Sequence, residues 1–195
     1  NYFLNPMIQA HHADKEIVIN ILCESFDQNK SVNYVVKQDG KRKQRIRQLM
    51  DYSFEICFLF GQIFLTEDKK GCVLTLFPDK KKTSLKTIQL DLKMIIHCVG
   101  LKRVLKILKR NSEIENEYPK TPIYYLWFIG VLPSEQRKGT GSNLLHEIIK
   151  MAKGFSRPIY LETSMIQNLP FYERLGFTIY RELDFGYKLF LLKKD

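Results

Sequence analysis

Apolar positions recur along this chain with two different periods, and each change of period marks an element. At helical spacing, Ile17, Ile19, Ile21 and Leu22 supply the buried side of a helix that Asp14 caps and that runs through Ser25. A longer helix is predicted over Lys41 to Phe60. It is basic at its start (Lys41, Arg42, Lys43, Arg45, Arg47), apolar from Leu49 onward, and stopped by Gly61. Leu85 to Glu117 is helical throughout, with a break at Gly100, and Asn143 to Ala152 repeats the same spacing. Between these lie short apolar runs of strand type: Met7 to Ala10, Gln62 to Thr66, Cys72 to Phe77, Ile123 to Val131, Pro158 to Glu162, Phe177 to Glu182 and Phe185 to Leu192. The second and third are joined by Glu67-Asp68-Lys69-Lys70-Gly71 and predict a hairpin; the last two predict another, turning near Asp184. Ile123 to Val131 holds no charged residue and is expected to be a central strand buried on both faces.

Composition narrows this picture. With 195 residues, 45% of them hydrophobic, the chain suffices for one large domain, expected over residues 7–195. Met7 opens Met-Ile-Gln-Ala, so Asn1 to Pro6 are read as an extension or an alternative start and left out of the fold. Lys93 and then Lys102-Arg103 interrupt the longest apolar stretch, so no membrane span is expected, and the start lacks the pattern of a secretory leader. A cytoplasmic protein, monomer or homodimer, is the resulting expectation. Cys23, Cys57, Cys72 and Cys98 are widely spaced among apolar neighbours and read as reduced core thiols. His11 and His12 have no partner at ligand spacing, so no metal is expected.

A formal charge of +10 fits a lysine-rich surface or attraction to an anionic ligand, and no nucleic-acid-binding module is recognisable. Lys102, Arg103, Lys106, Lys109 and Arg110 interleave with Leu101, Val104, Leu105, Ile107 and Leu108 as an amphipathic pattern with a basic face.

The stretch Gln136-Arg137-Lys138-Gly139-Thr140-Gly141-Ser142 carries the sharpest chemistry. It joins the apolar run ending at Val131 to the helix at Asn143. A helix start offers unpartnered N–H groups and the positive end of its dipole, which together seat a phosphate. Gly139 and Gly141 allow close backbone approach and φ values that other residues avoid, Arg137 and Lys138 add charge, and Ser142 is placed to support the first turn. A dinucleotide fingerprint would need a third glycine and a P-loop would need Gly-Lys-Ser/Thr; both are missing.

What remains, Gln-x-x-Gly-x-Gly after an apolar strand, resembles the coenzyme-A pyrophosphate loop of the GNAT superfamily of N-acetyltransferases. A second segment, Asn168-Leu169-Pro170-Phe171-Tyr172-Glu173-Arg174-Leu175-Gly176-Phe177, resembles that family's later motif. In wording the two are most similar to the puromycin N-acetyltransferase-like branch. The resemblance implies a GNAT-like α/β (α+β) fold: a mixed, largely antiparallel sheet of six to seven strands with flanking helices, splayed between Ile123 to Val131 and Pro158 to Glu162. It implies acetyl-CoA as cosubstrate and a small primary amine as acceptor, with direct attack in a ternary complex.

By motif position the backbone of Ile129, Gly130 and Val131 would meet the pantetheine arm. Residues Gln136, Arg137, Lys138, Gly139, Thr140, Gly141 and Ser142 would hold the pyrophosphate. Asn168 would bond to the pantetheine or order its loop, Phe171 would pack against core or cofactor, and Tyr172 would donate to the departing thiolate. The region 85–117 would enclose the acceptor, with Glu113, Glu115 and Glu117 near the amine and Tyr52, Phe54 and Phe58 flanking it. The resemblance implies a glutamate base on the first central strand, but Ile123 to Val131 holds none here, so Glu162 and Tyr125 are the candidate bases and His97 a weaker one. A noncatalytic acyl-CoA sensor and a basic nucleic-acid-binding protein are the competing classes.

Overall fold

Alternation along the strands sorts the apolar side chains onto two faces of one seven-stranded sheet, and each face is closed by its own set of helices. The computed structural model describes residues 7–195; the expectation for Asn1 to Pro6 lies outside the described residues. The strands are β1 (Met7–Gln9), β2 (Gly61–Thr66), β3 (Gly71–Leu76), β4 (Tyr124–Val131), β5 (Ile159–Thr163), β6 (Thr178–Asp184) and β7 (Lys188–Lys194), in the order β1-β2-β3-β4-β5-β7-β6. Every neighbouring pair is antiparallel except β4 with β5.

On one face α1 (Lys15–Phe26), α2 (Lys30–Val35) and α3 (Arg42–Phe60) pack Val18, Ile19, Leu22, Met50 and Phe54 against Ile63, Leu65, Cys72 and Leu74. On the other, α6 (Thr140–Gly154) and α7 (Leu169–Arg174) pack Leu144, Leu145, Ile148 and Tyr172 against Phe64, Val73, Tyr124, Leu126 and Leu161. Cys57, Cys72 and Cys98 are buried free thiols and Cys23 is half-buried, each held protonated by desolvation.

The long predicted helix and the first hairpin stand where the hydrophobic pattern puts them. Three features differ. The six-residue helix α2 is too short to show a period; its signal is Asn29, whose side chain accepts from Val32 N–H at 3.0 Å. The final hairpin turns next to Asp184 as expected, but Phe185 to Tyr187 form the turn instead of opening the last strand, with Gly186 at φ +82°.

Strand β4, expected to be buried on both faces, instead alternates buried and half-buried residues. Its partner register slips by one residue between Leu74↔Phe128 and Thr75↔Leu126, leaving Trp127 as the extra residue of a bulge. Because of that extra residue Tyr124, Leu126, Ile129 and Val131 share one face, while Tyr125, Trp127 and Phe128 share the other.

The segment between β3 and β4 is helical, as predicted. It comprises α4 (Leu85–Met94), opened by a Ser84/Thr87 capping box, a wider turn at Ile95–Val99, Gly100 at φ +81°, and α5 (Val104–Glu115). Helix α5 does not bury its leucines. Leu105 and Leu108 are exposed, as is Leu101 in the turn before it, while Ile107, Arg110 and Ile114 face inward. No helix among the described residues is long and apolar enough to cross a membrane.

Candidate active site

Strands β4 and β5 are paired only at Tyr124↔Ile159 and Tyr125↔Tyr160, and beyond these two rungs they part. The bulge at Trp127 falls where they separate and bends β4 away. Leu132 N–H bonds to Lys70 O at 2.9 Å, which fixes the phase of the β3–β4 ladder. In an antiparallel pair the residues two apart repeat, so Gly130 and Phe128 turn their main chain toward β3, and Ile129 and Val131 turn theirs into the gap. One part of that edge is already taken. The Val131 carbonyl accepts from Ser25 Oγ at 2.9 Å and from Gln136 Nε2 at 3.0 Å. Gln136 therefore ties the loop back onto the strand, a role for its side chain different from phosphate contact. Ile129 and the Val131 N–H are left facing the opening.

The loop beyond climbs through a single turn at Pro133–Glu135 to Arg137 (φ +62°) and Gly139 (φ +90°), and α6 begins at Thr140. No side chain among the described residues caps α6. The first helical bond is Asn143 N–H to Gly139 O at 3.0 Å, so the N–H groups of Thr140, Gly141 and Ser142 have no helical acceptor.

The two glycines prove unlike each other. Gly139 needs its positive φ, with open space where a Cβ would sit; Gly141 is helical, and a Cβ there would meet Phe171 Cζ at 3.8 Å and Val131 Cγ2 at 3.9 Å, ordinary contacts. The expectation that Gly141 adopts a conformation closed to other residues is thereby corrected. Ser142 does not cap; it lies in the first turn, and its carbonyl meets His146 Nδ1 at 2.7 Å. Lys138 pairs with Glu135 at 3.1 Å, and Lys70 shares that carboxylate at 3.2 Å. Arg137 has no ion pair or hydrogen bond among the described residues.

Tyr172 sits on α7 with its ring packed edge-on to Phe171 and Phe177, centroids 5.0 and 5.8 Å away. Its hydroxyl makes no hydrogen bond within the described residues, yet it is not among the oxygens sealed from solvent. Burial pushes the phenol pKa up, so the group holds its proton throughout the neutral range. Asn168 is exposed, ends the turn before α7 and makes no cap bond.

On the opposite side of the splay lies a cavity of about 710 Å³. Tyr125, Trp127, Glu162, Arg110, Glu115 and Tyr118 are among the residues that line it. Glu162 enters from β5. Tyr125 Oη donates to its Oε2 at 3.0 Å, while Oε1 is buried with no partner among the described residues. Desolvation pushes its pKa up to about 7; nearby Arg110 opposes that rise and Glu115 adds to it. Tyr118 and Tyr180 also bury unpartnered hydroxyls, and their rings pack on Tyr160 at 5.9 and 5.4 Å. Buried orphan oxygens in such number mark a place where water or ligand completes the bonding.

Other candidates fall away. His97 is exposed and outside the cavity, with only its carbonyl engaged, by Arg45. Phe54 is core and Phe58 is exposed against His12, which leaves Tyr52 alone of its trio on the cavity wall. Glu113 lies near Lys109 and Glu117 pairs with Arg181, so only Glu115 of the three glutamates lines the cavity. Arg110 and Tyr118 reach it without having been singled out. Arg110 reads in sequence as one more cation of a basic face, and Tyr118 as a residue beyond a helix end.

Residues 98–177 match the family model described as the acetyltransferase (GNAT) family. An uncharacterized N-acetyltransferase of Schizosaccharomyces pombe is 41% identical over 54 residues, 28% of this chain; the chain spans 22% of the length of that curated relative. Among solved structures, one described as histone acetyltransferase HPA2 and related acetyltransferase, from Corynebacterium glutamicum, superposes with a TM-score of 0.70 at 19% identity, over 96% of this chain and 94% of that one. Arylalkylamine N-acetyltransferase 2 of Aedes aegypti does so with a TM-score of 0.64 at 16% identity, over 97% of each chain. At these identities the superpositions speak for the fold alone. Splayed sheet, glycine turn and α7 motif agree with that match, and over residues 98–177 the chain is similar to the acetyltransferase (GNAT) family.

Proposed function

We propose that this chain transfers an acetyl group from acetyl-CoA to a primary amine of a small molecule, with both held at once across the β4–β5 splay. The residues present fit acetyl-CoA. Three uncapped N–H groups at the start of α6 and an uncommitted Arg137 suit a pyrophosphate, and the free edge of β4 at Ile129 suits an amide-bearing arm. When bound, acetyl-CoA supplies a thioester carbonyl and a thiolate leaving group.

The protein's part is to move protons and hold geometry. An acceptor amine arrives mostly as ammonium and must lose a proton before its nitrogen can form the new bond to carbon. The unpartnered Oε1 of Glu162 is the acceptor for protons from that nitrogen, while Tyr125 fixes the carboxylate through Oε2. As the carbon–sulfur bond breaks, Tyr172 hands its phenolic proton to sulfur and is replenished from solvent. Aromatic walls of Tyr125, Trp127 and Phe128 keep water from the carbonyl. In balance, an ammonium and a thioester become an amide, a thiol and one proton.

The observation that carries this reading is Glu162: a cavity carboxylate with a buried free oxygen and a pKa raised to about 7. The free Tyr172 hydroxyl favours an enzyme over an acyl-CoA sensor. Thiol release from acetyl-CoA, followed with a panel of primary amines that includes an aminonucleoside, an arylalkylamine and a diamine, provides the test. Amine-dependent release with an acetylated product by mass spectrometry is expected. Glu162→Gln should lower it on the order of 10² to 10⁴-fold. Thiol release that ignores the amine, or no release from a folded protein, would sink the proposal.

A further inference from the structure

Helix α5 inverts the usual placement of its side chains: Leu105 is 81% exposed and Arg110 only 7%. A leucine costs little to bury and an arginine a great deal, so the inversion asks what Arg110 does inside. Its Nε donates to Tyr187 Oη at 3.0 Å, one terminal nitrogen to Asn111 Oδ1 at 3.0 Å, and the other to Ser31 Oγ at 2.5 Å. The guanidinium also lies near the rings of Phe185 and Tyr34, 5.6 and 5.9 Å from their centroids. Every one of these partners is neutral, and no carboxylate stands within ion-pair distance among the described residues. Two of the five N–H groups remain unspent.

Tying α5 to α2 and to the β6–β7 turn requires hydrogen bonds but no charge. A buried cation with no carboxylate in direct contact is instead matched by an anion that arrives with a ligand. Arg110 lines the same cavity as Glu162, whose free Oε1 awaits the amine, and exposed Glu115 lines that cavity too. One arginine with two hydrogens to spare suits a singly charged, planar carboxylate better than a dianionic phosphate, which would also face Glu115.

We infer that the acceptor is an aminocarboxylate with an apolar body, its carboxylate on Arg110, its amine on Glu162 and its body among Phe26, Tyr118 and Trp127. This rests on the acetyltransferase reading above. Zwitterions of amino-acid type satisfy both charged groups at once, whereas a plain amine satisfies only one.

The test compares kcat/KM for pairs of acceptors that differ only in the carboxylate: L-phenylalanine with phenethylamine and L-tryptophan with tryptamine, together with the β-amino and phosphonate analogues of phenylalanine. Wild-type protein should prefer the carboxylate member of a pair on the order of 10²-fold, since an unpaired buried group penalises the analogue that lacks the match. In Arg110→Gln the ratio within a pair should collapse toward one, and Arg110→Lys should keep part of it.

Equal or better use of the plain amines by the wild type would overturn the inference, as would preference for the phosphonate. So would an Arg110→Gln variant that slows both members of a pair alike, the mark of a structural tie. Should that variant not fold, the wild-type ratios decide alone. Absence of thiol release with every amine would instead fell the acetyl-transfer reading and this inference with it, an outcome distinct from transfer to plain amines.

Discussion

At the scale of single residues, the proposed reaction gives two groups the proton traffic, and their environments set opposite tasks. Glu162 serves as base only when ionised. Desolvation holds it protonated to about pH 7, with Arg110 pulling its pKa down and Glu115 pushing it up, while Tyr125 hydrogen-bonds it and Tyr180 lies within its field. The acid limb of kcat/KM should therefore rise through about pH 7, below the ionisation of the amine itself. Glu162→Gln should erase that limb, and a wild-type profile flat from pH 5.5 to 8 would remove Glu162 from the role. Tyr172, whose pKa burial drives upward, keeps its proton to give. A thiol of pKa about 8.5 already leaves fairly well, so Tyr172→Phe should lose only on the order of 10²-fold in kcat, with acetyl-CoA affinity little changed because the ring contacts to Phe171 and Phe177 persist. Unaltered kcat in a pre-steady-state measurement, where the chemical step is seen directly, would reduce Tyr172 to a packing residue.

Between elements, the loop from β4 into α6 carries the clearest test of ligand placement, because its two glycines separate conformation from contact. Gly139→Val forces a branched residue to φ +90° and should cost fold stability by roughly 1 to 2 kcal/mol. Gly141→Val meets only ordinary van der Waals neighbours in the protein, so it should fold as the wild type does and lose acetyl-CoA affinity by more than tenfold, because the side chain occupies the approach to the Thr140, Gly141 and Ser142 amides. Calorimetry finding full affinity in that variant would move the pyrophosphate elsewhere. The turn and its glycines were legible because spacing and period encode them, whereas the splay they serve was expected only from the resemblance to the GNAT motifs. Which glycine needs its freedom was not legible, since that depends on where the helix starts. Helix α2 escaped for want of length. Arg110 escaped for a different reason: its neighbours Leu105 and Leu108 make α5 look like an ordinary surface helix, and only the packing of Ser31 and Tyr187 against it draws the arginine in. Glu162 was found as a candidate by elimination along the strands, but its free Oε1 and the tyrosines around it are products of tertiary packing that no local pattern contains.

For the molecule as a whole, the same titrating groups predict a stability profile with two limbs of opposite sign. Several carboxylates are held below their ordinary values: Asp27 by Arg42, Asp39 by Arg45 and Asp79 by Arg157. Glu55 and Asp51 are also lowered, because their lysine partners outweigh the desolvation that acts on both; Glu55 is brought to about 2. A lowered acid adds stability above its unfolded value near 4, and that stability is lost as pH falls through the folded value. The loss compounds with charge, since protonating the 21 carboxylates uncovers all 31 positive charges of Lys and Arg, to which the 4 histidines add their own. Glu162 has the reverse sign. Its folded value is raised, so folding favours the protonated form, and the stability it allows below 4.5 is lost as pH rises through about 7. A shift from 4.5 to about 7 corresponds to something on the order of 3 kcal/mol. Thermal unfolding should accordingly be hardest near pH 5, ease steeply below 4, and ease more gently between 5 and 7. In Glu162→Gln the upper limb should vanish, leaving a protein that is more stable than wild type at pH 8, equal to it at pH 4, and slow as a catalyst, the exchange of stability for activity expected when a base is kept in a cavity that resists its charge. Parallel wild-type and variant curves from pH 4 to 8 would show that Glu162 ionises at its ordinary value and would take the strongest support from its assignment as base.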